Sequence, residues 1–195
     1  IFPLEQLKEA AAVARDHGLR VHLDGARIFN AVVASGTPLA TWAEPFDSLT
    51  FCLSKGLGAP IGSVLCGSSD FILRAHRARK QMGGGMRQSG IIAAAGLYAL
   101  EHHVERLADD HSNAQRLATG LQDLGLNVNP FPETNIVIFE IEHAEEFEKD
   151  LLAKGILTLA LNNEQVRVVT HMDVSESDIE AALSGIAEVV GARPS

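Results

Sequence analysis

Leu49-Thr50-Phe51-Cys52-Leu53-Ser54-Lys55-Gly56-Leu57-Gly58-Ala59-Pro60-Ile61-Gly62-Ser63 runs from an apolar strand straight into a glycine-rich turn around one lysine. A lysine at the end of a buried strand is expensive to keep as a cation. It must pair, deprotonate or be covalently modified. Gly56, Gly58 and Gly62 leave space beside it, and a lysine in such a turn suits Schiff-base chemistry. For a lone Lys-Gly pair, a surface lysine in a glycine-rich loop would be the better reading. One strand-helix-strand unit upstream stands His22-Leu23-Asp24-Gly25-Ala26-Arg27. A carboxylate at the end of a buried strand is where an α/β sheet meets its ligand. Gly25 permits close backbone approach, and Arg27 offers a planar fork for an anion. Asp24 also reads as a cap for the following helix, and Arg27 as a helix-surface arginine. The spacing places Asp24 and Lys55 at the same sheet edge.

Working outward, the periodicity predicts a helix from Pro3 to a stop at Gly18, with Leu4, Leu7, Ala11 and Ala14 on one face. A buried strand is expected over 19–23, a helix over 26–34, and strands over 48–53 and 63–67. That order implies an α/β layer with a partly parallel sheet. A basic helix is expected over 70–81, interrupted by Gly83-Gly84-Gly85, which reads as a hinge or subunit contact. Residues 91–124 read as a long helical stretch, broken before Gly125, with an Ala-rich buried half (91–99) and a charged, more exposed half. Beyond it, 126–128 is strand-like and 135–141 alternates as a strand. Residues 144–154 form an amphipathic helix, 156–161 and 165–170 are strands about an Asn162-Asn163 turn, and 175–190 is a closing helix. Ser175 and Asp178 have capping-box spacing. Two domains are expected, 1–114 and 115–195.

The chain has 195 residues and a net charge of −9, from 16 Lys+Arg against 25 Asp+Glu. That balance argues against a nucleic-acid binder, which carries a basic face. The longest run without a charge, residues 28–43, has 16 residues and contains Gly36 and Pro38. It is too short to span a bilayer. Two cysteines in apolar stretches and no basic-then-apolar leader suit a reducing cytoplasm. The eight histidines show no metal-ligand spacing, so no metal is expected. His22 shares a strand face with Asp24 and reads as a satisfied core histidine or a ring near the site. His171 shares strand parity with Arg167. His102 and His103 read as solvated.

Taken with Arg79-Lys80-Gln81-Met82-Gly83-Gly84-Gly85-Met86-Arg87-Gln88 and Val166-Arg167-Val168-Val169-Thr170-His171-Met172-Asp173, the two opening segments resemble the signature of the threonine aldolases. These are pyridoxal 5'-phosphate (PLP) lyases of fold type I, in the aspartate aminotransferase superfamily. The lysine segment alone indicates the superfamily; four segments in this order favour the aldolase branch. The resemblance implies an α/β fold: the later part of a large, mostly parallel-sheet domain and a small α+β domain. It implies that Lys55 carries PLP and that Asp24 pairs with the pyridine nitrogen. Arg27 and Arg167 would hold the substrate α-carboxylate. Lys80 and Arg87 resemble basic residues that reach toward the cofactor phosphate of a neighbouring subunit. Both also read as solvated charges, and Arg167 as an arginine on an open strand face.

The implied reaction is retro-aldol cleavage of L-threonine or L-allo-threonine to glycine and an aldehyde. The family's ring-stacking histidine, its candidate catalytic histidine and its phosphate-cradling loop lie upstream of the segment resembling residues 1–27. The start at Ile1-Phe2-Pro3, without Met, fits the interior of a longer protein. The expected partners are therefore an amino-acid substrate and either further copies of the chain, as dimer or tetramer, or an N-terminal segment. Another fold-type-I PLP enzyme, or a non-catalytic remnant, are the competing readings.

Overall fold

The computed structural model describes residues 1–192. The chain divides into two compact units, the first ending at Arg106 and the second starting at Leu107. The division falls eight residues ahead of the expected 114/115 boundary because the helix Leu107–Asp123 packs whole within the second unit. The last three residues of the expected second domain lie outside the described residues.

In the first unit, α1 (Leu4–Asp16) leads to β1 (His22–Asp24), followed by α2 (Ile28–Ser35), α3 (Leu39–Ala43) and β2 (Ser48–Cys52). Then come β3 (Ser63–Gly67), α4 (Ser69–Gln81) and α5 (Gly90–His102). Gly18, at φ +70°, closes α1 as its position predicted. Strand β1 starts later than the expected residue 19. At Val21 the Asp47 carboxylate takes over from the ladder, accepting the Val21 N–H at 2.9 Å. That bond and the Arg20 guanidinium hold the Asp47 carboxyl below its ordinary range.

Strands β1 and β2 are parallel, with Asp24 opposite Thr50, and β3 runs antiparallel on the far side of β2. The sheet is thus partly parallel, as its element order implied. Leu49 and Phe51 point into a core with Ile28 and Trp42, and Phe29 meets Phe51 edge-on at 5.2 Å. Helix α3 forms where Pro38 starts it and Trp42 anchors it in that core.

The helical stretch over 91–124 is broken before Gly125, as expected: it is two helices, with the break at residues 103–106. Its Ala-rich half is not buried as expected. Gly96 and Ala99 are covered, but Ile91 and Leu97 are 81% and 60% exposed. An apolar run such as 91–100 gives no stripe from which to read its covered side; Gly96, against Leu53, and Leu100 meet the unit's core.

The second unit holds α6 (Leu107–Asp123), β4 (Ile136–Glu140), α7 (Ala144–Ala153), β5 (Leu159–Ala160), β6 (Gln165–Val169) and α8 (Glu176–Gly191). Its antiparallel sheet has the order β4-β6-β5. Leu117, Leu121, Phe139, Phe147, Leu151, Val166 and Ile186 form one buried core. Gly120 lets Leu183 of α8 lie where a side chain on α6 would collide with it. Ser175 and Asp178 form the expected capping box. Strand β5 is only two residues long, against the six expected, and 126–128 contributes a single bridge, Asn127 to Glu140. No helix among the described residues is long and apolar enough to cross a membrane.

Phe139 is fully buried and meets Phe147 edge-on at 6.0 Å. Phe139→Ala is expected to lower stability by about 3–5 kcal/mol. A urea midpoint that drops at unchanged slope checks it.

Candidate functional site

Asp24 ends β1, and Lys55 lies three residues past the end of β2. Since these strands are parallel and in register, both residues leave the sheet at its carboxyl edge. Pairing continues beyond the strands. Gly25 N–H donates to the Thr50 carbonyl at 2.8 Å, and Cys52 N–H to the Ala26 carbonyl at 3.2 Å. The turn that carries Asp24 and Arg27 is therefore tied to β2. A methyl group on Gly25 would lie 2.9 Å from the Thr50 oxygen, so the approach requires glycine.

Asp24 accepts the Ala26 N–H at 3.2 Å. The capping alternative is thus met only as a short Asx-type turn: α2 begins at Ile28, and Arg27, not Asp24, is its N-cap. The Asp24 residue remains exposed, and Arg27 is half-buried.

Lys55 is exposed, so it does not carry the burial cost that its place after an apolar strand suggested. The strand stops at Cys52, and the turn carries the lysine outward while Leu57 and Ala59 turn in. Three backbone bonds close this turn. Leu53 N–H donates to Gly62, Ala59 N–H to Leu53 and Gly58 N–H to Lys55, at 2.9, 3.0 and 2.9 Å. Gly58 and Gly62 take φ values of +69° and +116°, which their lack of a side chain allows.

His22 stands beside Asp24 on the exposed face of β1. Its ring nitrogens lie 2.9 Å from Ser48 Oγ and 3.4 Å from Thr50 Oγ1. It is satisfied by its neighbours but is not a core residue. His103, expected to be solvated, is half-buried, and its Nδ1–H donates to the Leu57 carbonyl at 2.7 Å. Nothing in the local pattern of residues 101–106 marks it, because its acceptor is 46 residues away.

Lys80 is exposed on the last turn of α4, and its stem lies over Gly85. Arg87 is exposed beyond that turn. The three glycines act as a helix stop: Gly83 takes φ +83°, and Gly84 N–H donates to Arg79 at 2.8 Å. Arg167 and His171 belong to the second unit. Arg167 is half-buried on β6, opposite Ile138 and Leu159, and His171 Nδ1 accepts the Asp173 N–H at 3.3 Å. The structure therefore brings Asp24, Arg27 and Lys55 to one edge. Lys80 sits on the end of α4, Arg87 in the segment between α4 and α5, and Arg167 in the other unit.

A carboxylate, a guanidinium and a lysine at the carboxyl edge of parallel strands occupy the ligand end of an α/β sheet. The model of the beta-eliminating lyase family matches residues 1–144, and the chain belongs to that family. It is 48% identical over 181 residues to a low-specificity L-threonine aldolase of Escherichia coli, covering 92% of this chain and 54% of that protein. It is 42% identical over 188 residues to low-specificity L-threonine aldolase 1 of Arabidopsis thaliana, covering 93% and 52%. The solved structure of a Leishmania major threonine aldolase superposes with a TM-score of 0.78 at 20% identity, over 95% of this chain and 56% of that one. The expected fold-type-I architecture is thereby shown. The chain spans about half the length of the curated relatives it matches.

Gly25→Ala is expected to cost about 1–3 kcal/mol, because the Thr50 carbonyl it would strike is held in the sheet. Gly90, at the start of α5, has open space around it. Gly90→Ala is therefore expected to leave stability unchanged or raise it by up to about 1 kcal/mol. Paired urea melts of the two variants check the contrast.

Proposed function

We propose that the protein containing this chain is a PLP-dependent aldehyde-lyase. It would cleave L-threonine and L-allo-threonine to glycine and acetaldehyde by retro-aldol reaction. The observation that carries this reading is the placement of Asp24 and Lys55 on one carboxyl edge, with Gly25 drawn against β2. The family match and the names of its relatives support it.

The residues present fit the cofactor. A primary amine and a carboxylate, both exposed, leave the same edge, and these are the groups that a pyridine aldehyde needs for covalent attachment and for pairing its ring nitrogen. PLP, when bound, supplies an electron sink for breaking the Cα–Cβ bond. Lys55 would hold the cofactor through its Nζ. Asp24 would pair with the ring nitrogen. Arg27 and Arg167 are assigned to the substrate α-carboxylate, which planar guanidinium groups bind in bidentate fashion. Lys80 and Arg87 are assigned to the cofactor phosphate, reached from a neighbouring subunit. The base that takes the hydroxyl proton is left to a group outside these residues.

The exposed apolar face of α5 favours a cover in the complete protein, either further copies in a dimer or tetramer or an N-terminal segment. The reading needs no nucleic-acid or membrane partner, and places the protein in the cytoplasm.

In the protein at its native length, Lys55→Ala is expected to abolish both the visible band of bound PLP and threonine cleavage. Arg27→Ala and Arg167→Ala are each expected to raise KM for threonine by about 10- to 100-fold, the worth of a lost charge-assisted bond. Cleavage surviving in Lys55→Ala would overturn the reading. Amino-group transfer to a keto acid in place of glycine release would do the same. For the cover, Leu97→Asp is expected to shift the sedimentation coefficient toward the monomer. An unchanged coefficient would assign the face to an N-terminal segment of the same chain.

A further inference from the structure

We infer that His103 is a positioning residue for Lys55, acting through the Leu57 carbonyl. The inference rests on the reading of Lys55 as the residue that carries PLP. Lys55 and Gly58 are the first and last residues of a turn closed by the 2.9 Å bond between them. Leu57 is the third residue of that turn, and it is only 3% exposed. The Nδ1–H of His103 donates to its carbonyl at 2.7 Å. A carbonyl at so covered a residue has little water to fall back on, so removing its donor leaves it unsatisfied.

The histidine is itself held on two sides. Its backbone N–H donates to Ala99 at 2.9 Å, which makes it the C-cap of α5. The Tyr98 ring stands edge-on to the imidazole at 5.4 Å. A carbonyl at Nδ1 can only accept, so the proton sits on that nitrogen. The contact thus connects a helix to the one turn that must present an amine at a fixed place. The loop's own bonds close the turn; His103 fixes it relative to α5.

The test is PLP titration of the protein at its native length, followed by the visible absorption of lysine-bound cofactor. His103→Leu keeps bulk but removes the donor. It is expected to weaken PLP binding by about five- to tenfold. His103→Asn keeps an N–H near the position of Nδ1. It is expected to bind PLP within about twofold of wild type. Thermal melts of the cofactor-free proteins accompany the titrations. Loss of PLP affinity in the leucine variant, restored by asparagine, supports the role.

Wild-type affinity in His103→Leu overturns it. So does a tenfold loss in His103→Asn, even where the leucine variant fails to fold. A fall in melting temperature shared by both variants without any change in PLP affinity also overturns it, since it leaves His103 a packing role only. Borohydride reduction of the wild type, followed by peptide mapping, separates this from the parent reading. Label on a residue other than Lys55 sinks the reading of Lys55. Label on Lys55 with an unaffected His103→Leu sinks the inference alone.

Discussion

The parallel pairing of β1 with β2 is the constraint on which the site edge depends. It is short, three residues on β1, and it is extended by two bonds made by the turn itself: Gly25 to Thr50 and Cys52 to Ala26. Without that extension, Asp24 would be the last residue of a fraying strand. With it, the carboxylate is held next to a strand whose own end launches Lys55. The close approach has a requirement that only glycine meets at position 25, since any Cβ there would press on a carbonyl already engaged in the sheet. A backbone contact thereby decides where two side chains can act.

The second unit is built on a different economy of contacts. Its sheet is antiparallel, and α6, α7 and α8 supply the apolar side chains that Phe139 and Val166 meet. The end of β6 is locked by polar groups. Asn135 Nδ2 donates to the Thr170 carbonyl at 2.9 Å, and Thr170 Oγ1 donates to the Asp110 carbonyl at 2.6 Å. Asn135 and Thr170 are each 1% exposed, so these bonds are made away from water, where the alternative is an unsatisfied polar group. They fix the strand on which Arg167 stands three residues earlier. Arg167 is thus carried by a strand that has little freedom to slide.

Much of this was legible in the sequence wherever a local rule carries the information. The lysine turn, the Asp24-Gly25 corner, the Gly18 stop and the Ser175 capping box each follow from a few adjacent residues. The element order was enough to foresee a partly parallel sheet. What escaped was set by distance or by partners. His103 bonds to Leu57 across 46 residues, so nothing around it distinguishes it from His102. The Ala-rich half of α5 is apolar on every side, and composition alone does not say which side the unit covers. Residues 156–158 have strand-type side chains, yet the ladder with β6 ends at Leu159, because pairing depends on the partner strand and not on propensity alone. The burial cost that an apolar strand suggested for Lys55 does not arise, because the strand ends three residues earlier.

The local character of the site edge also bears on what a longer protein would add. Every bond that places Asp24 and Lys55 lies between residues 22 and 103. The apolar core behind that edge, from Ile28 to Phe51, belongs to the same unit. Placement of the amine and the carboxylate is therefore a property of this chain. Cover is not: the Asp24 side of β1 and the outer face of α5 are both open. A lysine and a carboxylate that leave one sheet edge exposed are held in water, where charge is screened and competing solvent is abundant. Excluding that water would strengthen each interaction at the edge without moving any of its atoms. The chain itself thus sets where Asp24 and Lys55 leave the sheet, while both side chains stay open to solvent.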